Sequence, residues 1–209
     1  MKPYYDEDGI TIYCADCRGL GLFGDVIVTD PPYGIGYRSG QEGVLPRAIV
    51  GDEDTSLRDY VLGRWIDSPA LVFGTWRAPR PTQTRMVLIW DKGGALGMGD
   101  LSLPWKPGHE EIYVIGSGFA GPRTSDVLCY PPVQAMAANG RTHPHEKPVP
   151  LLVELLQKCP IGTVYDPFVG TGSTLIAAKQ LGRRAIGIEI EERYCEIAAQ
   201  RLSQQVLGI

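Results

Sequence analysis

The sequence predicts an α/β protein whose Rossmann-like, doubly wound sheet has seven strands and carries helices on both faces. Seven short apolar runs, rich in valine and isoleucine and bounded by turn residues, recur along the 209 residues. Such runs are typical of strands buried on both faces of a sheet. Helical patterns lie between several of them, and this alternation favours a mainly parallel sheet in a single domain.

The predicted strands are short and mostly apolar, without a strict polar alternation. In chain order they are "ITIYC" (10–14), "DVIVT" (25–29), "ALVFG" (70–74), "RMVLIW" (85–90), "EIYVIG" (111–116), "GTVYD" (162–166) and "RAIGIE" (184–189). Because neither face of these runs is consistently polar, we expect the sheet to lie in the interior, covered by helices.

Two helices are predicted in the middle of the chain. The segment "TSLRDYVLGRWID" (55–67) begins at Thr55 or Ser56, either of which can cap it. The segment "PLLVELLQK" (150–158) has Pro150 at its start and places four leucines on one face. Both patterns predict amphipathic helices that pack on the sheet.

Two more helices are predicted towards the end of the sequence. The segment "STLIAAKQL" (173–181) follows a glycine turn and stops at Gly182. The segment "EERYCEIAAQRL" (191–202) has acids in its first turn and an arginine in its last, which matches the helix dipole.

Composition and charge indicate a cytoplasmic globular protein without a membrane partner. No run approaches the roughly 18 apolar residues that span a bilayer, and the N-terminus lacks an apolar signal core. Five cysteines without a framework spacing suit a reducing compartment. The net charge of −4 does not by itself indicate nucleic-acid binding, but "WRAPRPTQTR" (76–85) has three arginines and no acid.

The turn "DPFVGTGST" (166–174) lies between a predicted strand and a helix, where open α/β sheets bind ligands. Gly170 and Gly172 would let backbone N–H groups approach a ligand closely. A P-loop lysine is absent, and Leu175 stands where a dinucleotide fingerprint needs its third glycine. A nucleoside without a pyrophosphate remains, for which S-adenosylmethionine is the candidate, with Glu189 on its ribose. The alternative is that the glycines only pack helix against strand.

The stretch "TDPPYGIGY" (29–37) directly follows a predicted buried strand. Pro31 and Pro32 lack N–H donors and favour extended geometry, so this segment leaves the sheet with unopposed carbonyl acceptors. Asp30 adds a carboxylate and Tyr33 a flat aromatic face. Acceptors beside a stacking ring suit an exocyclic amine on a planar base. The alternative is a proline turn covered by an aromatic ring.

Together the two motifs make the chain, from about Thr11 to Leu202, resemble the beta class of DNA amino-methyltransferases. That family transfers a methyl group from S-adenosylmethionine to adenine N6 or cytosine N4. The catalytic motif "DPPY" precedes the glycine turn, which is the circularly permuted order of the class, whereas protein-glutamine methyltransferases have the opposite order. Further similar segments are "CADC" (14–17), "VFGTW" (72–76), "IWDK" (89–92) and "HPHEKP" (143–148).

The resemblance implies one methyltransferase domain over residues 1–209. It divides into a catalytic half (1–116), a short target-recognition region (117–143) and a cofactor-binding half (144–209). Many family members have a larger recognition region than these 27 or so residues.

The resemblance also implies roles for single residues. Asp30 and the Pro31 carbonyl would accept the N–H bonds of the target amine, Pro32 belongs to the same motif, and Tyr33 would stack on a flipped base. Residues expected to hold S-adenosyl-L-methionine are Asp16, Asp30, Lys147, Asp166, Phe168, Gly170, Gly172, Ser173 and Glu189. Within that set Asp16 would meet the adenine and Lys147 the methionine end. The alternatives are a core role for Phe168 and a solvated charge for Lys147.

Double-stranded DNA is the expected partner, in a bacterial or phage context. Two stretches without periodicity, 34–54 and 117–143, are predicted to be mobile alone and to order on DNA. Their predicted DNA contacts are Tyr37, Arg38, Arg47, Arg123 and Arg141. The alternative is that both are plain surface loops and that specificity comes from a partner chain or a homodimer.

Adenine N6 is the preferred target because an acid at the first position of the motif leans towards adenine in this family. Methylation of cytosine N4 is the alternative reaction. Two alternatives come from other classes: a non-catalytic DNA-binding scaffold, and a zinc module. The zinc module would use Cys14 and Cys17 with His143 and His145.

Overall fold

The computed structural model describes residues 1–21, 24–36, 49–66, 68–94, 101–133 and 146–204. These residues form nine strands, four α-helices and a 3₁₀ helix at Cys17–Gly19. The strands are β1 (Tyr5–Glu7), β2 (Ile10–Cys14), β3 (Val26–Thr29), β4 (Ala70–Gly74), β5 (Thr84–Asp91), β6 (His109–Ile115), β7 (Val127–Cys129), β8 (Val164–Asp166) and β9 (Ala185–Glu189). The helices are α1 (Ser56–Gly63), α2 (Val149–Lys158), α3 (Ser173–Gln180) and α4 (Glu192–Gln204).

All described strands belong to one sheet with the order β1-β2-β9-β8-β3-β4-β6-β5-β7. Strand β1 is antiparallel to β2, and β6 is antiparallel to both of its neighbours, while the other strands share one direction. The seven predicted strands are confirmed. The sheet has two more strands than predicted, β1 and β7, at its two edges. Each has three residues, which is too short for a hydrophobic pattern to reveal.

Helices cover both faces of the sheet, as predicted. In β3, Val26 and Val28 point into the core between the sheet and α2, α3 and α4, which we call the first core. Ile27 points the other way, into the second core with Val61 and Leu62 of α1. Because successive side chains of a strand alternate between faces, an all-apolar strand fills both cores at once.

The four helices are confirmed with shifted ends. The first is shorter than predicted, since α1 ends at Gly63. Its cap also differs from the prediction: Thr55 makes no capping bond through its side chain, and the Asp54 carboxylate accepts the Ser56 N–H at 2.8 Å instead. Thr55 donates its hydroxyl to Asp59. None of the four helices that the structure describes is long and apolar enough to cross a bilayer.

The connections from β8 and β3 run in opposite directions across the sheet. The chain leaves β8 through α3 to β9 on one side, and leaves β3 through α1 to β4 on the other. A crevice forms at the carboxyl ends of two neighbouring parallel strands where the order reverses in this way. The fold therefore places the turns after β8 and β3 side by side.

Candidate active site

Four acids from four sequence-remote turns lie along one edge of the sheet. Asp16 follows β2, Glu189 ends β9, Asp166 ends β8 and Asp30 follows β3, in the spatial order of those strands. Because these strands are parallel, their carboxyl ends meet at the same edge. The structure thus brings together residues that the sequence assigned to two separate motifs.

Asp166 ties the two central turns together. Its Oδ1 accepts the Thr29 hydroxyl at 2.6 Å and the Phe168 N–H at 3.0 Å. The carboxyl is buried, and this burial raises its pKa to about 6 although both hydrogen bonds favour the charged form. Thr29 precedes Asp30 directly, so Asp166 fixes where segment 30–33 leaves the sheet.

The two glycines of the turn after β8 have different surroundings. Both have positive φ, +52° at Gly170 and +87° at Gly172. A Cβ on Gly172 would lie 2.9 Å from the Ala198 Cβ of α4, whereas one on Gly170 would meet no atom of the described residues within 4 Å. The packing alternative therefore fits Gly172, and Gly170 faces open space. The neighbouring Ser173 hydroxyl is buried without a hydrogen-bond partner in the described part of the chain.

Glu189 and Asp16 hold the outer turns. Glu189 accepts the Gly170 N–H at 2.9 Å and the Glu191 N–H at 2.8 Å, and burial raises its pKa. Asp16 accepts the Arg18 N–H at 2.8 Å and pairs with the Arg18 guanidinium at 2.6 Å, which lowers the pKa of Asp16. Glu189 keeps lone pairs that these bonds do not use, whereas each Asp16 oxygen accepts two bonds from Arg18.

Phe168 is half-buried and packs against the second core, so its predicted core alternative holds for part of the ring. The ring still stands in the turn between Asp166 and Gly170, at the edge that carries the four acids. A half-exposed aromatic at that edge can contact a planar ligand as well as the core.

Segment 30–33, which follows β3, is held by a buried lysine. Lys147 is 5% exposed, and its Nζ lies 2.5 Å from Asp30 Oδ2 and 3.2 Å from the Tyr33 hydroxyl oxygen. The other oxygen, Asp30 Oδ1, is buried and has no hydrogen-bond partner among the described residues. One carboxylate oxygen is thus fixed, and the second is an acceptor without a donor.

Tyr33 is fixed at both ends of its side chain. Its hydroxyl donates to Glu110 Oε2 at 2.8 Å, and its ring packs against the first core. Burial, with the nearby charges of Asp30 and Glu110, raises the pKa of Tyr33, so the phenol stays neutral. The ammonium of Lys147 lies 5.6 Å from the centre of this ring.

Glu110 is a further residue of this site, which the sequence motifs did not predict. Besides Tyr33, this carboxylate contacts Lys147 at 3.2 Å and Lys92 at 2.5 Å. Burial works to raise its pKa, but the charges of Lys147 and Lys92 outweigh burial and bring the pKa down to about 2. In "HEEIYVI", Glu110 precedes the buried part of β6, and the alternation of side chains along the strand turns it towards the first core. This position was the signal that the sequence offered.

Lys147 lies beside segment 30–33, whereas Arg123 lies far from it. The carbonyl of Pro122, next to Arg123, accepts from Lys158. Lys158 ends α2, whereas Lys147 lies just before its start, and the ten residues of this helix span about 15 Å. The predicted target-recognition loop therefore starts on the opposite edge of the sheet. A DNA contact by Arg123 stays a prediction.

Several predicted residues lie outside the described part of the chain. These are Tyr37, Arg38, Arg47 and Arg141, together with His143 and His145 of the zinc alternative. Within the residues that the structure does describe, no group of three or more histidines, cysteines or acids could hold a metal ion.

Comparison with known proteins identifies the family of the chain. A family model described as DNA methylase, for N6 and N4 methyltransferases, matches residues 89–200. The putative methylase YubD of Escherichia coli (strain K12) is 35% identical over 196 residues, which cover 86% of this chain and 82% of that protein.

Solved structures show the same fold. A crystal structure of an M1.HpyAVI–SAM complex superposes with a TM-score of 0.67 at 20% identity, covering 92% of this chain and 98% of that one. The cytosine-N4-specific PvuII DNA methyltransferase gives a TM-score of 0.68 at 14% identity, covering 96% and 88%. With a family model over more than half of its length and a 35% identical relative, the chain belongs to the N6/N4 DNA methylase family.

Proposed function

We propose that this protein transfers a methyl group from S-adenosylmethionine to the N6 amine of an adenine flipped out of double-stranded DNA. The observation that carries the proposal is Asp30 Oδ1, beside Tyr33, which is buried and has no hydrogen-bond partner among the described residues. A buried carboxylate oxygen without a donor is costly in a folded protein. An incoming amine N–H would satisfy it.

The cofactor side of the edge fits a nucleoside that carries no pyrophosphate. Among the described residues, Gly170 leaves open space and the buried Ser173 hydroxyl has no partner, while Glu189 has lone pairs left for hydroxyl donors. S-adenosylmethionine, when bound, supplies an electrophilic methyl group on a sulfonium. A contact between Lys147 and its methionine end stays a prediction.

The catalytic segment would act by positioning the target nitrogen. Asp30 Oδ1 and the Pro31 carbonyl accept the two amine N–H bonds, which draws the nitrogen towards tetrahedral geometry and frees its lone pair to attack. Tyr33 stacks on the base, and Lys147 keeps the Asp30 carboxylate from turning. Orientation of this kind lowers the activation barrier, because the translational and rotational entropy of the reactants has already been lost on binding.

The test uses the intact protein with methyl-labelled S-adenosylmethionine and unmethylated bacterial genomic DNA. We expect labelled N6-methyladenine in the digested nucleosides, identified by mass spectrometry. N4-methylcytosine as the only product would contradict the choice of adenine and leave DNA methylation standing. Binding of S-adenosylmethionine without transfer to any DNA would refute the proposed reaction and favour a non-catalytic scaffold.

A further inference from the structure

The connection between β5 and β6 presents large apolar side chains to solvent at the edge that carries the candidate active site. Its described residues include "LSLPWKP" (101–107). Leu101 is 76% exposed, Leu103 56% and Trp105 77%. Contiguous exposed apolar residues of this size mark interaction sites on soluble proteins more often than single ones do.

This connection is anchored next to the catalytic tyrosine. The Lys92 N–H donates to the Gly108 carbonyl at 3.0 Å and closes its base. The Lys92 ammonium contacts Glu110, which accepts the Tyr33 hydroxyl. The Glu110 side chain therefore links the start of the connection, at Lys92, to the Tyr33 ring, which we propose stacks on the target nucleobase.

A cationic and aromatic surface lies on the neighbouring connection of the same edge. Trp76, two residues after β4, is 59% exposed, and the Arg77 guanidinium lies 5.4 Å from its ring centre. Neither 76–85 nor 101–107 contains an acid, and Lys106 is exposed. Arg80 is paired with Glu111, and Arg85 donates to the Gly116 carbonyl at the opposite edge of the sheet. In a chain with a net charge of −4, we therefore expect Arg77 and Lys106 to attract a polyanion at this edge.

From these observations we propose that Leu101–Lys106 is a DNA-contacting surface, on which Trp105 packs against bases that flank the target. The inference rests on the proposed function, because a flipped-base substrate must bring its duplex to this edge. Aromatic rings stack on any base, and apolar side chains wedge between base steps that have lost a neighbour. Lys106 and Arg77 are then placed to reach phosphates.

Trp105→Ala tests this surface. Binding of a labelled, unmethylated duplex of mixed sequence is measured by fluorescence anisotropy. We expect the Kd to rise roughly 5- to 150-fold, the range for loss of one base–aromatic stack, and Trp105→Phe to retain most of the affinity. Calorimetry is expected to show unchanged affinity for S-adenosylmethionine in both variants.

Ile161→Ala is the matched control. Ile161 is fully exposed but stands just before β8, at the opposite edge of the sheet, so its replacement is expected to leave duplex binding unchanged. A Trp105→Ala variant that binds duplex like the wild type, while the wild type methylates DNA, overturns the inference alone. If the wild type binds DNA through Trp105 but transfers no methyl group, the proposed function fails and the surface stands. If Trp105→Ala instead converts a dimer to a monomer in sedimentation, the surface is covered by a second copy and the inference is wrong.

Discussion

At the scale of single residues, the candidate site is a compensated charge cluster. The ammonium of Lys147 lies between the carboxylates of Asp30 and Glu110, and Glu110 also pairs with Lys92. Burial works to lower the pKa of Lys147, but the two carboxylates outweigh it and raise that pKa, so the lysine is charged. Two positive and two negative groups leave this cluster without net charge, beside the position where we propose that methyl transfer occurs.

Asp30→Ala and Tyr33→Ala are expected to abolish methyl transfer while S-adenosylmethionine still binds. Both side chains belong to the turn after β3, and the cofactor turn follows β8. By analogy with the loss of one oxyanion-hole donor, removing the Asp30 acceptor should lower kcat about 10²- to 10³-fold. Tyr33→Phe keeps the ring and should retain more activity than Tyr33→Ala. Calorimetry that shows no cofactor binding by either alanine variant would contradict these roles.

Glu110→Gln is expected to destabilise the protein more than Glu111→Gln. The two neighbours face opposite sides of β6, and each accepts from a basic side chain. Glu110 has two lysine partners, both largely buried, whereas the Arg80 partner of Glu111 is 55% exposed. Breaking a buried ion pair costs about 3–5 kcal/mol. Glu111 is itself buried, but its partner is in solvent, so breaking that pair is expected to cost less. Urea unfolding of both variants measures the difference, and equal losses would show that the Glu110 cluster contributes no more than the pair of Glu111 with Arg80.

At the scale of elements, Asp166 couples the junction of β3 and β8 to pH. Its raised pKa, about 6 against an ordinary 3.8, means that the native state binds this proton more tightly than the unfolded chain does. Its contribution to stability is therefore complete below about pH 4 and is lost as the pH rises through about 6, by about 3 kcal/mol. Asp166→Asn can keep the bonds from Thr29 and Phe168 and should remove that dependence. Urea unfolding between about pH 4 and 8 compares the two proteins, and parallel profiles would contradict the assignment.

The glycine turn should separate packing from ligand binding. Gly172→Ala brings a Cβ to 2.9 Å from Ala198, besides the strain of a positive φ, so it is expected to lower stability more than Gly170→Ala. The strain alone costs about 1–2 kcal/mol. Gly170→Ala fills the open side of the turn and should weaken S-adenosylmethionine binding by more than it weakens the fold. Adding Ala198→Gly to Gly172→Ala should recover part of the lost stability, and failure to do so would mean that the overlap relaxes elsewhere.

The sequence revealed the elements whose residue types are unusual and missed those that depend on contacts. Buried strands, the proline-rich exit of β3 and the glycine turn stand out in composition, and the structure brings Asp30 and Asp166 together as neighbours of one junction. Glu110 could not be assigned, because its role requires the register of β5 and β6 to bring up Lys92 and a remote segment to supply Lys147. The Asp54 cap was missed because three adjacent residues can all cap a helix, and only the backbone path chooses between them.

At the scale of the whole molecule, a net charge of −4 coexists with exposed basic side chains, Arg77 and Lys106, at one edge of the sheet. We expect modest DNA affinity that falls steeply with salt, since phosphate contacts release counterions. Arg77→Ala, at the site edge, should lower the slope of log K against log salt by about 0.9. Arg123→Ala, near the opposite edge, should change the slope less. An equal effect of Arg123→Ala would show that the loop after β6 does reach the duplex, as the sequence predicted.

The strand order has a consequence for synthesis on the ribosome. Strands β2 and β3 follow each other in the chain with only 11 residues between them, yet β9 and β8, from its last quarter, lie between them in the sheet. The nascent chain therefore exposes the apolar edges of β2 and β3 until residues 164–189 have emerged. Pairings of such long sequence separation form slowly, and open strand edges are where nascent chains aggregate or recruit chaperones. The glycine turn after β8 and Lys147, the partner of Asp30, both follow β3 in the chain, so the edge with the four acids is complete only after residues 147–189 have emerged.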